Sequence, residues 1–179
     1  MFPNLETDRL ILREITHDDA QGIFSCFSNP DVLRYYGQDP LETIEQATGL
    51  IKFFAKSFEE KKGIRWGIEV KGEKGLIGSI GFNSWSPKHK RAEIGYEIHP
   101  DYWRKGYMSE AIKEILSFGS QTLGLTRIGA VVFIENQASN NLLSNMGFER
   151  EGILKNYMYQ NGKVYDTFVY GFFPQKQDI

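Results

Sequence analysis

Cysteine is almost absent from this sequence, and its scarcity excludes several kinds of protein. The one cysteine, Cys26, cannot form an intramolecular disulfide, and its apolar neighbours in IFSCF favour a small buried side chain over a nucleophile. The three histidines, His17, His89 and His99, have no i,i+3 or i,i+4 spacing among them. We therefore expect neither a zinc site nor any other bound metal.

A basic excess and long apolar runs are also missing. The 21 lysines and arginines are balanced by 23 acidic residues, which argues against a nucleic-acid-binding protein. No apolar run reaches the roughly 18 residues that a membrane span needs. The opening MFPNLETDRL lacks the layout of a signal peptide. We expect a cytoplasmic protein that contacts neither a membrane nor nucleic acid directly.

The common nucleotide-binding motifs are missing too. Neither GxxxxGK[ST] nor GxGxxG occurs, and the nearest run, GLIGSIG at 75–81, has the wrong spacing. ATP and dinucleotides are therefore poor candidates for a cofactor. With 179 residues, 41% of them hydrophobic and 25% charged, the chain is long enough for one domain spanning 1–179.

Hydrophobic periodicity predicts an alternation of strands and helices. Strands are expected at 9–15, 65–70, 76–84, 91–99, 127–134, 148–159 and 163–173, and helices at 16–28, 43–61, 106–124 and 138–146, with a further helical turn at 31–36. Hairpins mixed with two strand–helix crossovers are typical of an α+β protein. The order predicts one mixed sheet with helices on both faces.

The most informative stretch is 92–111, AEIGYEIHPDYWRKGYMSEA. It predicts a strand, then a basic turn containing Gly106, then a helix. Backbone N–H groups at a helix N-terminus bind phosphate well, because they have no partner within the helix and the helix dipole favours an anion. This segment is therefore the candidate for a phosphate-bearing ligand.

Several motifs carry a resemblance to a known family. The stretch just described, the NQASNN segment at 136–141 and the MGF at 146–148 resemble the GNAT N-acetyltransferase superfamily. The opening TDRLILREI and the closing EGILKNYMYQNGKVYDTFVYGF are similar to the bacterial ribosomal-protein acetyltransferases that modify N-terminal alanine or serine. The resemblance covers essentially the whole chain. It implies the GNAT (acyl-CoA N-acyltransferase) fold, whose mostly antiparallel sheet is splayed at the cofactor site.

The resemblance also implies acetyl-CoA as cosubstrate. The splay would fall near Ile98 and His99, and an N–H near Ile98 would hold the thioester oxygen. The implied cofactor-binding residues are Ile98, His99, Arg104, Lys105, Gly106, Tyr107, Met108, Ser109 and Asn136. The sequence departs from the family pattern Gln/Arg-x-x-Gly-x-Gly/Ala at Trp103 and Met108. These two residues put the pose of the pyrophosphate in question.

Two catalytic residues are predicted. By resemblance, Ser139 is the general acid that protonates the departing thiolate; the alternative is that it only caps its helix. In some relatives a carboxylate that acts as general base stands where this chain has Met158. Glu93 and Glu97 share one face of their strand, and Glu97 is our first choice for the base. A solvated sheet face or a water relay is the alternative.

The absence of a clearly identified general base favours an acceptor amine that is partly deprotonated at neutral pH. A protein α-amine has a pKa of about 7.7–8.0, against about 10.4 for lysine, so about a tenth of it is already nucleophilic at neutral pH. We expect direct attack in a ternary complex on a protein N-terminus, with a ribosomal protein as candidate partner. The predicted acceptor-side residues are Tyr35, Trp66, Asn83 and Trp85.

Other functions stay open from the sequence alone. A small amine, such as a polyamine, an antibiotic or an amino-acid derivative, is the alternative acceptor. A CoA-binding sensor or scaffold without turnover is the second alternative, because Met108 and Met158 depart from the family pattern. A monomer and a homodimer fit equally well.

Overall fold

A single eight-stranded sheet organises the computed structural model, which describes residues 1–174. The strands are β1 (Leu5–Glu6), β2 (Leu10–Glu14), β3 (Ile64–Val70), β4 (Leu76–Ser86), β5 (Arg91–Ile98), β6 (Arg127–Phe133), β7 (Glu149–Gln160) and β8 (Lys163–Phe172). The helices are α1 (Ala20–Phe27), α2 (Pro30–Leu33), α3 (Ile44–Glu59), α4 (Tyr107–Gln121) and α5 (Gln137–Asn145). The strand order is β1-β2-β3-β4-β5-β6-β8-β7. Only β5 and β6 pair in parallel among these strands, which confirms the predicted mixed, mostly antiparallel sheet.

One face of the sheet packs against α4. Fully buried side chains of β3 and β4, such as Trp66 and Phe82, meet Phe118 and Gly119 of that helix. Burying a large apolar side chain stabilises the fold by about 1.5–3 kcal/mol. This face carries the main core, and we call it the α4 face.

The other face packs against α1 and α3. Their apolar sides, represented by Phe27 and Ile51, form a second buried cluster. The arginine of β3 on this face, Arg65, lies beneath the ring of Phe54 in α3, 5.6 Å from its centroid. Strand side chains alternate between faces, so Arg65 and Trp66 point in opposite directions. We call this side the α3 face.

The sheet opens in its middle. Three residue pairs join β5 to β6: Arg91 with Arg127, Ala92 with Ile128, and Glu93 with Gly129. β5 continues to Ile98 and β6 to Phe133, so the strands diverge from Ile94 onward. The sequence placed this splay near Ile98 and His99. It begins earlier, and Ile98 lies at its far end.

The C-terminal hairpin closes one side of the α3 face. Asn161 and Gly162 form its turn with φ of 51° and 75°, as an Asn-Gly pair favours. The Gln160 side chain holds the loop after α2, since it accepts from the N–H of Gly37 at 2.9 Å and donates to the Leu33 carbonyl at 2.6 Å. The loop and the hairpin therefore form one connected wall.

Several element bounds differ from the sequence-based expectations. The two-residue β1 was not predicted, because a strand of that length has no periodicity to detect. The helix expected to reach Gly124 ends at Gln121, and Gly124 follows in the left-handed region with φ of 66°. The tail from 175 onward lies outside the described residues. Within 1–174, no helix is long and apolar enough to cross a membrane.

Candidate functional site

Backbone geometry gives the opening between β5 and β6 a hydrogen-bonding edge. The N–H of His99 donates to the carbonyl of Ile77 in β4, at 2.7 Å. Successive N–H groups of a strand point to opposite edges, so the N–H of Ile98 faces β6 and the opening. Ile98 thus has the orientation that the predicted oxyanion contact requires.

The turn before α4 is shaped to present backbone amides. Arg104 and Gly106 adopt the left-handed region, with φ of 60° and 79°. No side chain caps the N-terminus of α4, so its first N–H groups remain available to an anion. The Met108 side chain is buried in the main core cluster. Its size therefore does not narrow a phosphate site made by the backbone.

Trp103, the first departure from the family pattern, has a structural role. Its indole N–H donates to the carbonyl of Ile98 at 2.9 Å, which ties the turn back to the end of β5. The indole is 44% exposed. The tryptophan therefore fixes the junction between the strand half and the turn half of the site.

Arg9 braces the same turn, and sequence reasoning missed it. Its guanidinium donates to the carbonyl of Lys105 at 2.9 Å and to the carboxylate of Glu110 at 2.7 Å. It also lies 4.5 Å from the ring centroid of Tyr107. Thr7 adds a hydrogen bond to Glu110. Arg9 stands in the opening TDRL, about 100 residues before the turn, so local sequence patterns do not connect the two.

Ser139 meets a tyrosine rather than capping its helix. Asn136 caps α5, because its side-chain oxygen accepts the N–H of Ser139 at 3.2 Å. The Ser139 hydroxyl lies 2.5 Å from the phenol oxygen of Tyr96. Tyr96 projects from β5 on the α4 face, so the contact crosses from one strand of the opening to the helix after the other. Burial raises the pKa of Tyr96 to about 12.

Glu97 lies on the opposite face in a buried polar cluster. Its side chain is 1% exposed and forms an ion pair with Arg65. Its carboxylate also accepts from the hydroxyl of Ser79 at 2.5 Å and from that of Tyr36 at 3.4 Å. Arg65 in turn donates to Tyr36 and to Ser79. The carboxylate predicted as general base is therefore already bound by three side chains.

The protonation of this cluster depends on burial. Burial raises the pKa of Glu97, while Arg65 and the hydroxyl donors oppose that rise. Burial likewise raises the pKa of Tyr36 to about 12. Tyr36 thus stays a neutral phenol at neutral pH. Sequence reasoning chose its neighbour, Tyr35, for the acceptor side and did not identify Tyr36.

The predicted acceptor-side residues fall into three different places. Asn83 and Trp85 line a groove of about 760 Å³ on the α3 face, beside Arg65. The indole N–H of Trp85 is buried and has no hydrogen-bond partner within residues 1–174. Tyr35 lies across the opening, with its ring 6.1 Å from that of Phe133.

Trp66 was a wrong prediction for the acceptor side. It is fully buried on the α4 face, where its indole donates to the carbonyl of Pro3 at 2.7 Å. Strand alternation points its neighbour Arg65 to the α3 face instead.

Comparison with known proteins agrees with this geometry. A family model for the acetyltransferase (GNAT) domain matches residues 9–149. The chain is 61% identical over 95% of its length to the uncharacterized N-acetyltransferase YoaA of Bacillus subtilis, covering 96% of that protein. The chain belongs to the GNAT acetyltransferase family. It is therefore an N-acetyltransferase, and it transfers an acetyl group.

More distant relatives differ in their acceptors. The spermidine N(1)-acetyltransferase of Escherichia coli is 28% identical over 85% of this chain and 79% of its own. The [ribosomal protein uS5]-alanine N-acetyltransferase of Escherichia coli is 27% identical over 90% and 86%. Among solved structures, the ribosomal α-N-protein acetyltransferase RimL, in complex with coenzyme A, has a TM-score of 0.88. It is 20% identical, covers 96% of this chain and 98% of its own, and shows the shared fold.

Proposed function

We propose that this protein transfers the acetyl group of acetyl-CoA to the α-amine at the N-terminus of a protein, with ribosomal proteins as the first candidates. The amine attacks the thioester directly in a ternary complex. Cys26 is buried and its pKa is raised to about 12, mainly by burial. A cysteine in that state does not suit an acyl-enzyme route.

The residues that would hold acetyl-CoA fit such a ligand. The uncapped N-terminus of α4 suits the pyrophosphate, and Arg104 and Lys105 are exposed beside it. The N–H of Ile98 suits the carbonyl oxygen of the thioester. We propose that His99, Asn136 and the amides from Tyr107 to Ser109 complete the contacts.

The state of Glu97 is the observation that carries the choice of acceptor. Its carboxylate is enclosed by Arg65, Ser79 and Tyr36, and Met158 occupies the position where some relatives have a carboxylate. A lysine acceptor at neutral pH needs an accessible base, because its pKa of about 10.4 keeps it protonated. An α-amine is partly neutral already, so positioning and water suffice.

Glu97 keeps a part in the proposal, though a different one. Because Arg65 neutralises the Glu97 carboxylate, we assign Glu97 the role of holding Arg65 and Tyr36 in place beside the acceptor. Water, rather than Glu97 directly, then takes the proton. Glu93, half-buried on the same face of β5, is the second carboxylate near that path.

A polyamine is the second candidate acceptor. It is favoured by the similarity to spermidine N(1)-acetyltransferases. The charge of the α3 face speaks against it: Arg65 neutralises Glu97, and Lys56 and Lys62 line the neighbouring groove with Glu60 as their shared partner. A polycation needs acidic side chains without such partners.

The test is the release of free thiol from acetyl-CoA with matched acceptors. We would compare a peptide with a free N-terminus and no lysine, the same peptide with a blocked N-terminus and one internal lysine, and spermidine. The proposal expects kcat/KM at least about 10-fold higher for the free N-terminus, following the neutral fractions of the two amines. Equal values for the lysine peptide, or a preference for spermidine, would overturn it. Reactions without the protein give the background rate.

A further inference from the structure

Tyr96 places a partly buried phenol where the two diverging strands face each other. Its oxygen lies 2.5 Å from the Ser139 hydroxyl. The sequence singled out Ser139 and passed over Tyr96, since a tyrosine in a strand beside apolar residues usually packs in a core. Here its hydroxyl reaches the helix that follows the partner strand.

We propose that Tyr96 is a positioning residue for the leaving group: it donates its hydrogen bond to Ser139 and so directs the Ser139 hydroxyl at the sulfur of the thioester. This inference rests on the proposed use of acetyl-CoA. It adds a residue on the α4 face to the reaction and does not depend on which amine is the acceptor.

The direction of the hydrogen bond follows from the acidity of the two hydroxyls. A phenol is a stronger acid than an aliphatic alcohol, so Tyr96 is the better donor and Ser139 the better acceptor. With its lone pair engaged by Tyr96, Ser139 has its own proton available for another acceptor. The N–H of Ser139 is already engaged by Asn136. Both ends of the serine are therefore held in place.

The same contact indicates stabilisation of the thiolate rather than full proton transfer to it. When the carbon–sulfur bond breaks, its electron pair goes to sulfur, and the Ser139 hydroxyl can hydrogen-bond to the resulting charge. A cysteine-like thiol has a pKa of about 8.5, well below the value of about 12 for Tyr96. Moving the phenol proton to the thiolate is therefore unfavourable. The amine loses its proton to water, and the thiolate later takes one from water.

Tyr170 shows what a merely structural hydroxyl looks like on the same face. It is buried and donates to the side-chain oxygen of Asn140 in α5 at 2.7 Å. Asn140 in turn donates to the carbonyls of Phe133 and Ile134. The Tyr170 hydroxyl therefore donates to an amide that is held by the backbone, whereas the Tyr96 hydroxyl donates to a serine hydroxyl that can itself donate a hydrogen bond. Tyr170→Phe is therefore a matched control for Tyr96→Phe.

The direct test measures the thiol pKa of bound coenzyme A, from the ultraviolet absorbance of the thiolate across a pH series. We expect the thiol pKa of coenzyme A to be lower when it is bound to the wild-type protein than when it is free. In Tyr96→Phe and in Ser139→Ala, most of this lowering should be lost. Tyr170→Phe should leave the thiol pKa lowered. A thiol pKa in the Tyr96→Phe complex equal to that in the wild-type complex would overturn the inference. Failure of the wild-type protein to bind coenzyme A would overturn the proposed function itself.

Kinetics supply the second test. We expect kcat to fall about 100-fold in Ser139→Ala, at the low end for loss of one hydrogen-bond donor to a developing negative charge, and about 10-fold in Tyr96→Phe. The KM for acetyl-CoA should stay within about twofold. Because Tyr96 acts through Ser139, the double variant should be no slower than Ser139→Ala alone. Additive losses would contradict the positioning role, and thermal melting of each variant checks that it is folded.

Discussion

The two faces of β5 are built in different ways. On the α4 face, the proposed cofactor half of the site comes from two short segments, 96–109 and 136–139, together with the brace from Arg9. On the α3 face, the proposed acceptor half consists of Glu97 and its partners Tyr36, Arg65 and Ser79, which come from a loop and two other strands. The first half is mainly backbone geometry, and the second is a network of charged and polar side chains.

This difference teaches why the cofactor is easier to recognise than the acceptor. A strand, a turn and a helix N-terminus bind phosphate through N–H groups that any sequence of suitable shape provides. An acceptor site is specified by side chains, and the partners of those side chains are set by the packing of distant segments. Perturbing the two halves separately should therefore give separable effects.

The largest effect is expected on the acceptor half, from Arg65→Ala. The variant leaves the Glu97 carboxylate buried without its cation, and breaking a buried ion pair costs about 3–5 kcal/mol of unfolding free energy. Urea unfolding measures it. Replacing both residues with methionine should cost clearly less than the sum of the single changes. A loss below about 1 kcal/mol in Arg65→Ala would show that water reaches the cluster.

A smaller effect is expected on the cofactor half, from Gly106→Ala. With φ of 79°, an added Cβ costs about 1–2 kcal/mol and would lie 3.2 Å from the Arg9 guanidinium. We expect the Kd for coenzyme A to rise about 10-fold, with the acceptor KM unchanged. Calorimetric titration measures the Kd.

Gly124→Ala is the matched control for that change. Gly124 has φ of 66°, but a Cβ there meets no atom within 4 Å and the residue lies beyond the other end of α4. It should lose similar stability and keep its affinity for coenzyme A. Equal losses of affinity in both variants would mean that the turn has no special part in binding.

The smallest effect concerns pH and the start of α1, on the α3 face. Burial raises the pKa of Asp19, but hydrogen bonds from Arg13 outweigh burial and hold that pKa below its usual value. A carboxyl group whose pKa is lowered by folding stabilises the protein at pH values above its unfolded-state pKa of about 3.9. This stabilisation is lost as the pH falls through the folded-state pKa. We expect Asp19→Asn to cost about 1 kcal/mol at pH 7, and this cost to disappear as the pH falls through the folded-state pKa of Asp19. A cost that is independent of pH would point to packing instead.

Much of the fold could be predicted, because long helices and strands carry their periodicity locally. The helix at 44–59 and the apolar strand at 127–133 follow from such patterns. On the cofactor half, the strand, the turn and the helix were predicted as one unit because they are contiguous. Arg9 was missed because its contacts are made only after the chain has folded.

The acceptor half shows what local patterns do not contain. Alternation establishes that Arg65 and Trp66 face opposite ways, but not which of them faces the core. No local pattern indicates that Arg65 pairs with Glu97, because β4 lies between their strands. Tyr35 and Tyr36 pose the same problem in a loop, where no periodicity shows which of the two half-buried rings contacts Glu97.

The divergence of β5 from β6 has a consequence for the life of the protein in the cell. A sheet that opens in its middle has inner edges as well as outer ones, and unpaired strand edges are templates for aggregation. A ligand that hydrogen-bonds to an inner edge stabilises the folded state, by about 2.7 kcal/mol at 100 times its Kd. The supply of the proposed cosubstrate, acetyl-CoA, should then control the lifetime of the enzyme as well as its rate. Starved of its cosubstrate, the protein should be degraded sooner.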